Sequence, residues 1–518
     1  MSLDKVIVTN LSALRSKYGA RYAEVRAAVN GLIAADRARG LTTRLVAIDS
    51  APDMRRAGGL AVPNASSQRG AKAAVDAIFA RYSPDYVLIL GAPDVVPHID
   101  LQNPFKGKED DDGDASVPSD VAYACATPWS RNPKDFLGPT RVVGRLPDVA
   151  GTTDPSFLIK VLGGASRYVT RDRSAYSSYL AFSAKTWHKS TELSVSKLFG
   201  PDSPIFTSPP SGPKWTKAQL ARRIHFINCH GDTISSKFFG EYPKDKFFDA
   251  HDAARLPSRI TEGSVVAAEC CYGAELYDPS DADGRVGICS VYLAEGAYGF
   301  FGSSNVAYGP TEGNGQADLI CQYFIENVLN GASLGRAALE ARQRFIAGYS
   351  HLDPSDLKTA VQFNLLGDPS IHAVKIVPHA FARSATMTRI VKNDAMKSAT
   401  RAFRRERIAR VGENLSRTIG AVVPAVVHTP AAVRRVLLQA ARESGIIKPS
   451  LMTYSIRFPS GSTPQDLPKV AASRRERSIH VVLGSSSAGV KTKQTRISAI
   501  IATVEGQKLV HIRRVQSR

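Results

Sequence analysis

Long apolar runs are missing from this 518-residue chain. None approaches the roughly 18 residues that a membrane-spanning helix requires, which argues against a helical integral membrane protein. Cysteine is scarce too. The six residues, at 125, 229, 270, 271, 289 and 321, are too few for a disulfide scaffold. Most lie in apolar or helical contexts, where a free thiol packs as a small hydrophobe. No Cys/His set has the spacing of a zinc site, so the sequence calls for no metal or other cofactor. Residues 1–19 lack the long apolar stretch and small-residue cleavage site of a secretory leader. A reducing, cytoplasmic setting is the expectation. What the chain does have is 43% hydrophobic residues, ample for globular cores, and a length that suggests about three domains.

The formal charge of +20 is unevenly placed. Residues 380–518 hold 26 Lys+Arg against 7 Asp+Glu, and the first 379 residues hold 41 against 40. The chain divides near Val377-Pro378-His379 into a near-neutral body and a basic tail. In the body, short apolar runs alternate with helical patterns. Segments 43–49, 86–91, 140–144, 179–183, 224–229, 265–268 and 297–302 read as strands, and 71–82, 316–330 and 333–347 as helices. In the last of these, Leu334, Ala338, Ala341 and Phe345 form one apolar face. Such alternation predicts an α/β fold with a mostly parallel sheet flanked by helices. The tail reads as helices at 386–411 and 433–444, then strands at 451–458, 478–483, 496–504 and 508–515, a small basic α+β domain. An acidic loop at 107–120, with Glu109 to Asp112 and Asp114, is either solvated or a cation site.

Two short segments carry the chemistry. His230-Gly231 follows the apolar run at 224–229, and Cys271-Tyr272-Gly273 follows the one at 265–268. Parallel sheets carry ligands at the carboxyl ends of their strands. A thiol at its usual pKa of about 8.5 is mostly protonated at neutral pH. A neighbouring imidazole can take that proton and return it to the leaving amine. The oxyanion that forms needs backbone N–H donors, and Gly231 and Gly273 let substrate backbone approach closely. The pair predicts a cysteine hydrolase, in the first instance a peptidase. His225 reads as a packed core residue.

These two segments resemble those of the caspase, gingipain, legumain, clostripain and separase fold group. Further motifs resemble the gingipain-like peptidases in particular, in the same order: Tyr86 to Gly91 with Asp94 to Pro97, Ser119-Asp120-Val121-Ala122-Tyr123, Val143-Gly144-Arg145-Leu146-Pro147, Glu269-Cys270-Cys271-Tyr272-Gly273-Ala274, and Phe363 to Pro369. The resemblance covers roughly residues 80–375. It implies a caspase/gingipain-like sheet in two subdomains, 1–170 and a catalytic 171–377; the basic accessory domain at 378–518 rests on composition and departs from the family pattern. It also implies a Cys-His dyad of Cys271 and His230. Cys270 stands where the family has a small residue, and a Cys-x-x-Gly alignment would make it the nucleophile instead. Asp120, in the Asp-x-x-Tyr segment, is the candidate third member that orients the imidazole. Asp135, shortly before Gly144-Arg145, is the candidate acid selecting basic P1 residues, with Gly273 beside the substrate. Arg145 and Asp368, as charged members of buried motifs, read as structural, because a buried charge must be paired. So does Glu269.

The leading expectation is therefore a cysteine endopeptidase acting on proteins or peptides. Its tail, residues 380–518, is a candidate recruiter of an acidic partner: nucleic acid, an acidic protein or an anionic membrane surface. The alternative is an inactive caspase-fold scaffold that binds nucleic acid or protein through the tail. Few aromatics there (Phe381, Phe403, Tyr454, Phe458) argue against base stacking. An arginine-rich tail is equally a candidate inhibitory or processed segment, with Arg404-Arg405 and Arg474-Arg475 as basic sites.

Overall fold

Short apolar segments form ten strands of one sheet in the computed structural model, which describes residues 3–105, 112–310, 312–376, 394–459, 477–485 and 496–518. Across the sheet the strands run Thr43–Ala47, Lys5–Thr9, Tyr86–Leu90, Val143–Leu146, Phe363–Gly367, Gly299–Ser303, Val265–Ala268, Ile224–Asn228, Tyr179–Ala184 and Phe206–Ser208. Neighbours are parallel except where Phe363–Gly367 meets Gly299–Ser303. Two parallel halves thus run in opposite directions and join at that pair. Strands such as Val6, Ile7 and Val8 are buried on both faces, as sheets covered by helices on both sides require. This is the expected α/β, caspase-like architecture. The run expected at 140–144 begins later, because the N–H groups of Thr140 and Arg141 bond the Ala124 carbonyl (2.8 and 2.9 Å) instead of a neighbouring strand.

Buried polar bonds tie the motif segments together. Arg145 is fully buried, with Nε and Nη2 on both oxygens of Asp120 (2.8 and 2.5 Å) and Nη1 on the carbonyls of Gly91 and Val96. The Asp120 N–H donates to Asn364 (2.9 Å). Lys5 bridges Asp36 (2.8 Å) and Asp368. Arg145 and Asp368 are thus paired within the fold, as a buried charge must be.

The C-terminal part is an α+β unit. The helix Asp394–Thr418 packs on Leu334–Ala347, with Arg405 on Asp85 (3.3 Å) and Arg407 on Glu340 (3.2 Å). It continues past its expected end through Gly412, which lies so close to the body that a Cβ there would meet the Pro139 oxygen at 2.6 Å. Strands Gly420–Pro424, Ser450–Arg457, Arg477–Ser485, Ile497–Glu505 and Lys508–Ser517 follow in antiparallel order. The helix Ala431–Glu443 covers them through Val433, Leu437 and Ala441. At either end the sheet takes in a short strand of the body, His351–Leu352 and Tyr308–Pro310. Among the described residues, no helix is long and apolar enough to cross a membrane.

Candidate active site

The strands Ile224–Asn228 and Val265–Ala268 pair in parallel, so the loops that follow them leave from one edge of the sheet. The two loops touch. A Cβ on Gly231 would lie 1.7 Å from the Cys271 carbonyl oxygen, so only glycine fits beside the thiol loop. Tyr272 turns the chain in the left-handed region (φ +54°), a strained conformation for a residue with a side chain. Its N–H on the Asn305 carbonyl (3.0 Å) and its hydroxyl on Asp114 (2.8 Å) hold the turn. Lys358 pairs with both Asp114 (2.5 Å) and Asp112, and all three are buried. This part of the acidic loop is therefore a buried, paired brace rather than a solvated surface; Glu109 to Asp111 lie outside the described residues. Among the described residues, no cluster of three or more His, Cys, Asp or Glu could hold a metal ion.

Cys271 is 3% exposed, and its Sγ accepts the Ala307 N–H (3.3 Å). Burial pushes its thiol pKa up to about 12. Cys270 is fully buried, its Sγ turned to the Ile227 carbonyl (4.0 Å), and burial raises its pKa far above the ordinary thiol range. Gly273 closes the turn, donating to the Cys270 carbonyl (3.1 Å).

His230 exchanges two backbone bonds with Phe239 (2.9 and 2.8 Å), which fixes it to the hairpin of Lys237–Glu241 and Phe247–Asp252. That hairpin delivers Glu241. Its Oε2 lies 2.9 Å from His230 Nε2, while Oε1 accepts from the Asp245 N–H (2.6 Å) and Arg496 (3.0 Å). Burial lowers the His230 pKa, against the opposing pull of Glu241. Burial raises that of Glu241, but its bonds to His230, Asp245 and Arg496 outweigh this and leave it below the usual range. Trp187 packs against the imidazole with its ring tilted by 50°, ring centres 4.2 Å apart. The contact with Glu241 is made through Nε2 and not Nδ1.

The other sequence candidates sit elsewhere. Asp120 is bonded to Arg145, so both its oxygens are engaged away from the imidazole; the carboxylate on His230 is Glu241. Asp135 is half-buried in the 3₁₀ turn Pro133–Phe136 and accepts from Ser130 (2.7 Å). Another carboxylate, Asp318, is fully buried in the first turn of the helix Gln316–Leu329.

Arg518 reaches from the Cys271 loop to Asp318. Its carbonyl oxygen accepts from the N–H of Cys271 (3.0 Å) and of Gly231 (3.3 Å). Its guanidinium, fully buried, bonds both oxygens of Asp318 (2.9 and 3.1 Å) and lies 4.4 Å from the centre of the Trp187 ring. Burial, and after it the neighbouring Asp318, raise the pKa of Glu269 well above the usual carboxylate range. Glu241, Asp318 and Trp187 escaped sequence reasoning. An aromatic-rich hairpin around Tyr242-Pro243 was the only local sign of the first, and Asp318 has the look of an ordinary helix N-terminal acid.

The caspase-like sheet carries His230 and Cys271 in the loops that follow two neighbouring parallel strands. Residues 221–374, which carry both His230 and Cys271, match the family model of peptidase family C25, so this region is a gingipain-like, cysteine-type endopeptidase. No curated protein matches the chain. A solved structure described as "Structure of Protease" aligns with a TM-score of 0.45 and 11% identity, over 99% of this chain and 96% of that one, a remote likeness.

Proposed function

We propose that the protein hydrolyses peptide bonds after basic residues, with Cys271 as nucleophile, His230 as base and then acid, and Glu241 as the residue that orients the imidazole. The observation that carries this is the convergence of the Cys271 and Gly231 N–H groups on one carbonyl oxygen, beside His230. Cys271 Sγ attacks the substrate carbonyl carbon while its proton passes to His230 Nδ1. The carbonyl oxygen becomes an oxyanion held by the two N–H groups. His230 then protonates the leaving amine, and water hydrolyses the thioester by the reverse sequence. Because burial keeps the thiol protonated, proton transfer accompanies attack rather than preceding it. Glu241 accepts Nε2–H and fixes the tautomer. Asp318 and Trp187 form the pocket for a P1 guanidinium, the role sequence reasoning placed on Asp135. Profiling on a peptide library, with Cys271→Ala as control, tests this reading: a P1 preference for apolar or acidic residues would remove the pocket assignment.

For the tail we propose docking first and recruitment second. Arg405, Arg407, Arg496, Arg513 and Arg518 are paired with carboxylates of the body, which favours docking. Arg434, Arg435 and Arg442 on the helix Ala431–Glu443 remain exposed to meet an acidic partner. If duplex DNA is that partner, affinity falls with salt at a slope near −0.9 per phosphate contacted, and Arg434→Glu with Arg435→Glu weakens it. Affinity indifferent to both removes the recruitment reading.

A further inference from the structure

The strand Lys508–Ser517 belongs to the C-terminal sheet, yet its last residues lie on the catalytic body. Val515, Gln516 and Ser517 pair antiparallel with Pro310, Gly309 and Tyr308, and the Arg518 N–H donates to the Ala307 carbonyl (3.0 Å). An extended peptide added to a strand edge gains affinity from main-chain bonds and specificity from side-chain pockets. Here the pocket is filled: the Arg518 guanidinium is on Asp318, so close over Gly309 that a Cβ there would lie 2.1 Å from it. Its carbonyl sits on the Cys271 and Gly231 N–H groups, the place of a scissile carbonyl. The approach is anchored as well. Arg513 pairs with Asp353 and Asp356 (2.6 Å), and Arg496, at the head of the preceding strand, pairs with Glu241 (3.0 Å).

Resting on the reading of Cys271 and His230 as the catalytic pair, we propose that residues 515–518 occupy the enzyme's own S4–S1 subsites as P4–P1 residues would, so that the cleft is blocked in cis and another peptide enters only when this segment lifts away. The edge strand Tyr308–Pro310 is then the substrate-binding strand, and its ligand is an extended peptide with arginine at P1. A tethered segment acts at an effective concentration on the order of 1 mM. If its intrinsic dissociation constant is about 10–100 μM, it suppresses competing substrates about 10- to 100-fold.

Full-length wild type and Arg518→Ala are compared on a fluorogenic peptide with arginine at P1, and for labelling of Cys271 by an arginyl acyloxymethyl ketone. Arg518→Ala should raise both rates by about 10- to 100-fold. The acetylated peptide of residues 513–518 should then inhibit the variant competitively. Loss of Arg518 leaves Asp318 without its cation and can weaken the fold, so wild type is also followed by hydrogen exchange before and after labelling. The amides of 515–518 should lose protection once the label holds the site, while those of 497–505 keep theirs. Equal rates in the two folded proteins, or full protection of 515–518 with the label on Cys271, overturns cis blocking alone. Turnover by both proteins without labelling at Cys271 overturns the catalytic reading beneath it.

Discussion

Replacing Asp318 by asparagine, in the Arg518→Ala background, isolates what the buried carboxylate does for an incoming arginine. In the occupied cleft both partners are fully buried, with Nη2 2.9 and 3.1 Å from the two carboxylate oxygens. Removing one member of a buried, hydrogen-bonded ion pair costs about 3–5 kcal/mol, much of it from the partner charge left unpaired. Asparagine keeps the shape and one acceptor, and the guanidinium retains the Trp187 face and the Pro310 carbonyl (3.3 Å). The lower end, about 3 kcal/mol, is therefore the expected loss, equal to roughly a 100-fold fall in kcat/KM. The fall should be confined to arginine. A matched substrate with norleucine at P1, of similar length but uncharged, should barely change. The assay is kcat/KM for the substrate pair with and without the Asp318→Asn change. Equal losses on both substrates would show a folding or catalytic defect and refute the pocket. An undiminished arginine preference would place the recognising acid elsewhere, Asp135 included.

Cys271→Ala should abolish turnover with little change in thermal unfolding, and Cys270→Ala should keep turnover; the reverse outcome moves the nucleophile to Cys270. The pH dependence follows from His230 and Glu241. Burial lowers the His230 pKa, so the acid limb of kcat/KM should lie below the ordinary histidine value of about 6.5, and Glu241→Gln, which removes an anion favouring imidazolium, should move it lower still. An upward move contradicts the assigned contact. Both pKa values are depressed on folding, so the unfolded chain binds more protons at these sites as pH falls; stability from both is present at neutral pH and is lost on acidification, which acid-unfolding curves of wild type and Glu241→Gln can measure. Asp120→Ala strands the buried Arg145 and should cost about 3–5 kcal/mol of stability, read by denaturant unfolding, with kcat of the folded fraction preserved. Intact stability with lost kcat would return Asp120 to the catalytic apparatus.

The sequence by itself marked seven of the ten strands of the main sheet, missing Lys5–Thr9, Phe206–Ser208 and Phe363–Gly367, and it marked the two candidate reactive side chains. Apolar runs such as Val265–Ala268 have a local signature, and a histidine or cysteine just past one stands out beside a glycine. The Arg145 and Asp368 motifs were legible as structural for a related reason: a charge inside an apolar strand context must find a partner. Which partner was not legible. Asp120 and Glu241 are both carboxylates within reach of a plausible alignment. Only packing decided that Asp120 lies on Arg145 and Glu241 on His230, because Glu241 arrives on a hairpin that interrupts the parallel pattern. Asp318 has an ordinary place in a helix first turn, and its meaning depends on Arg518, two hundred residues away in the chain. The basic tail was visible as composition, yet its contact with the Cys271 loop was not. A strand's edge partner is set by backbone hydrogen bonds that any sequence can make, so the meeting of Lys508–Ser517 with Tyr308–Pro310 leaves no mark in either segment.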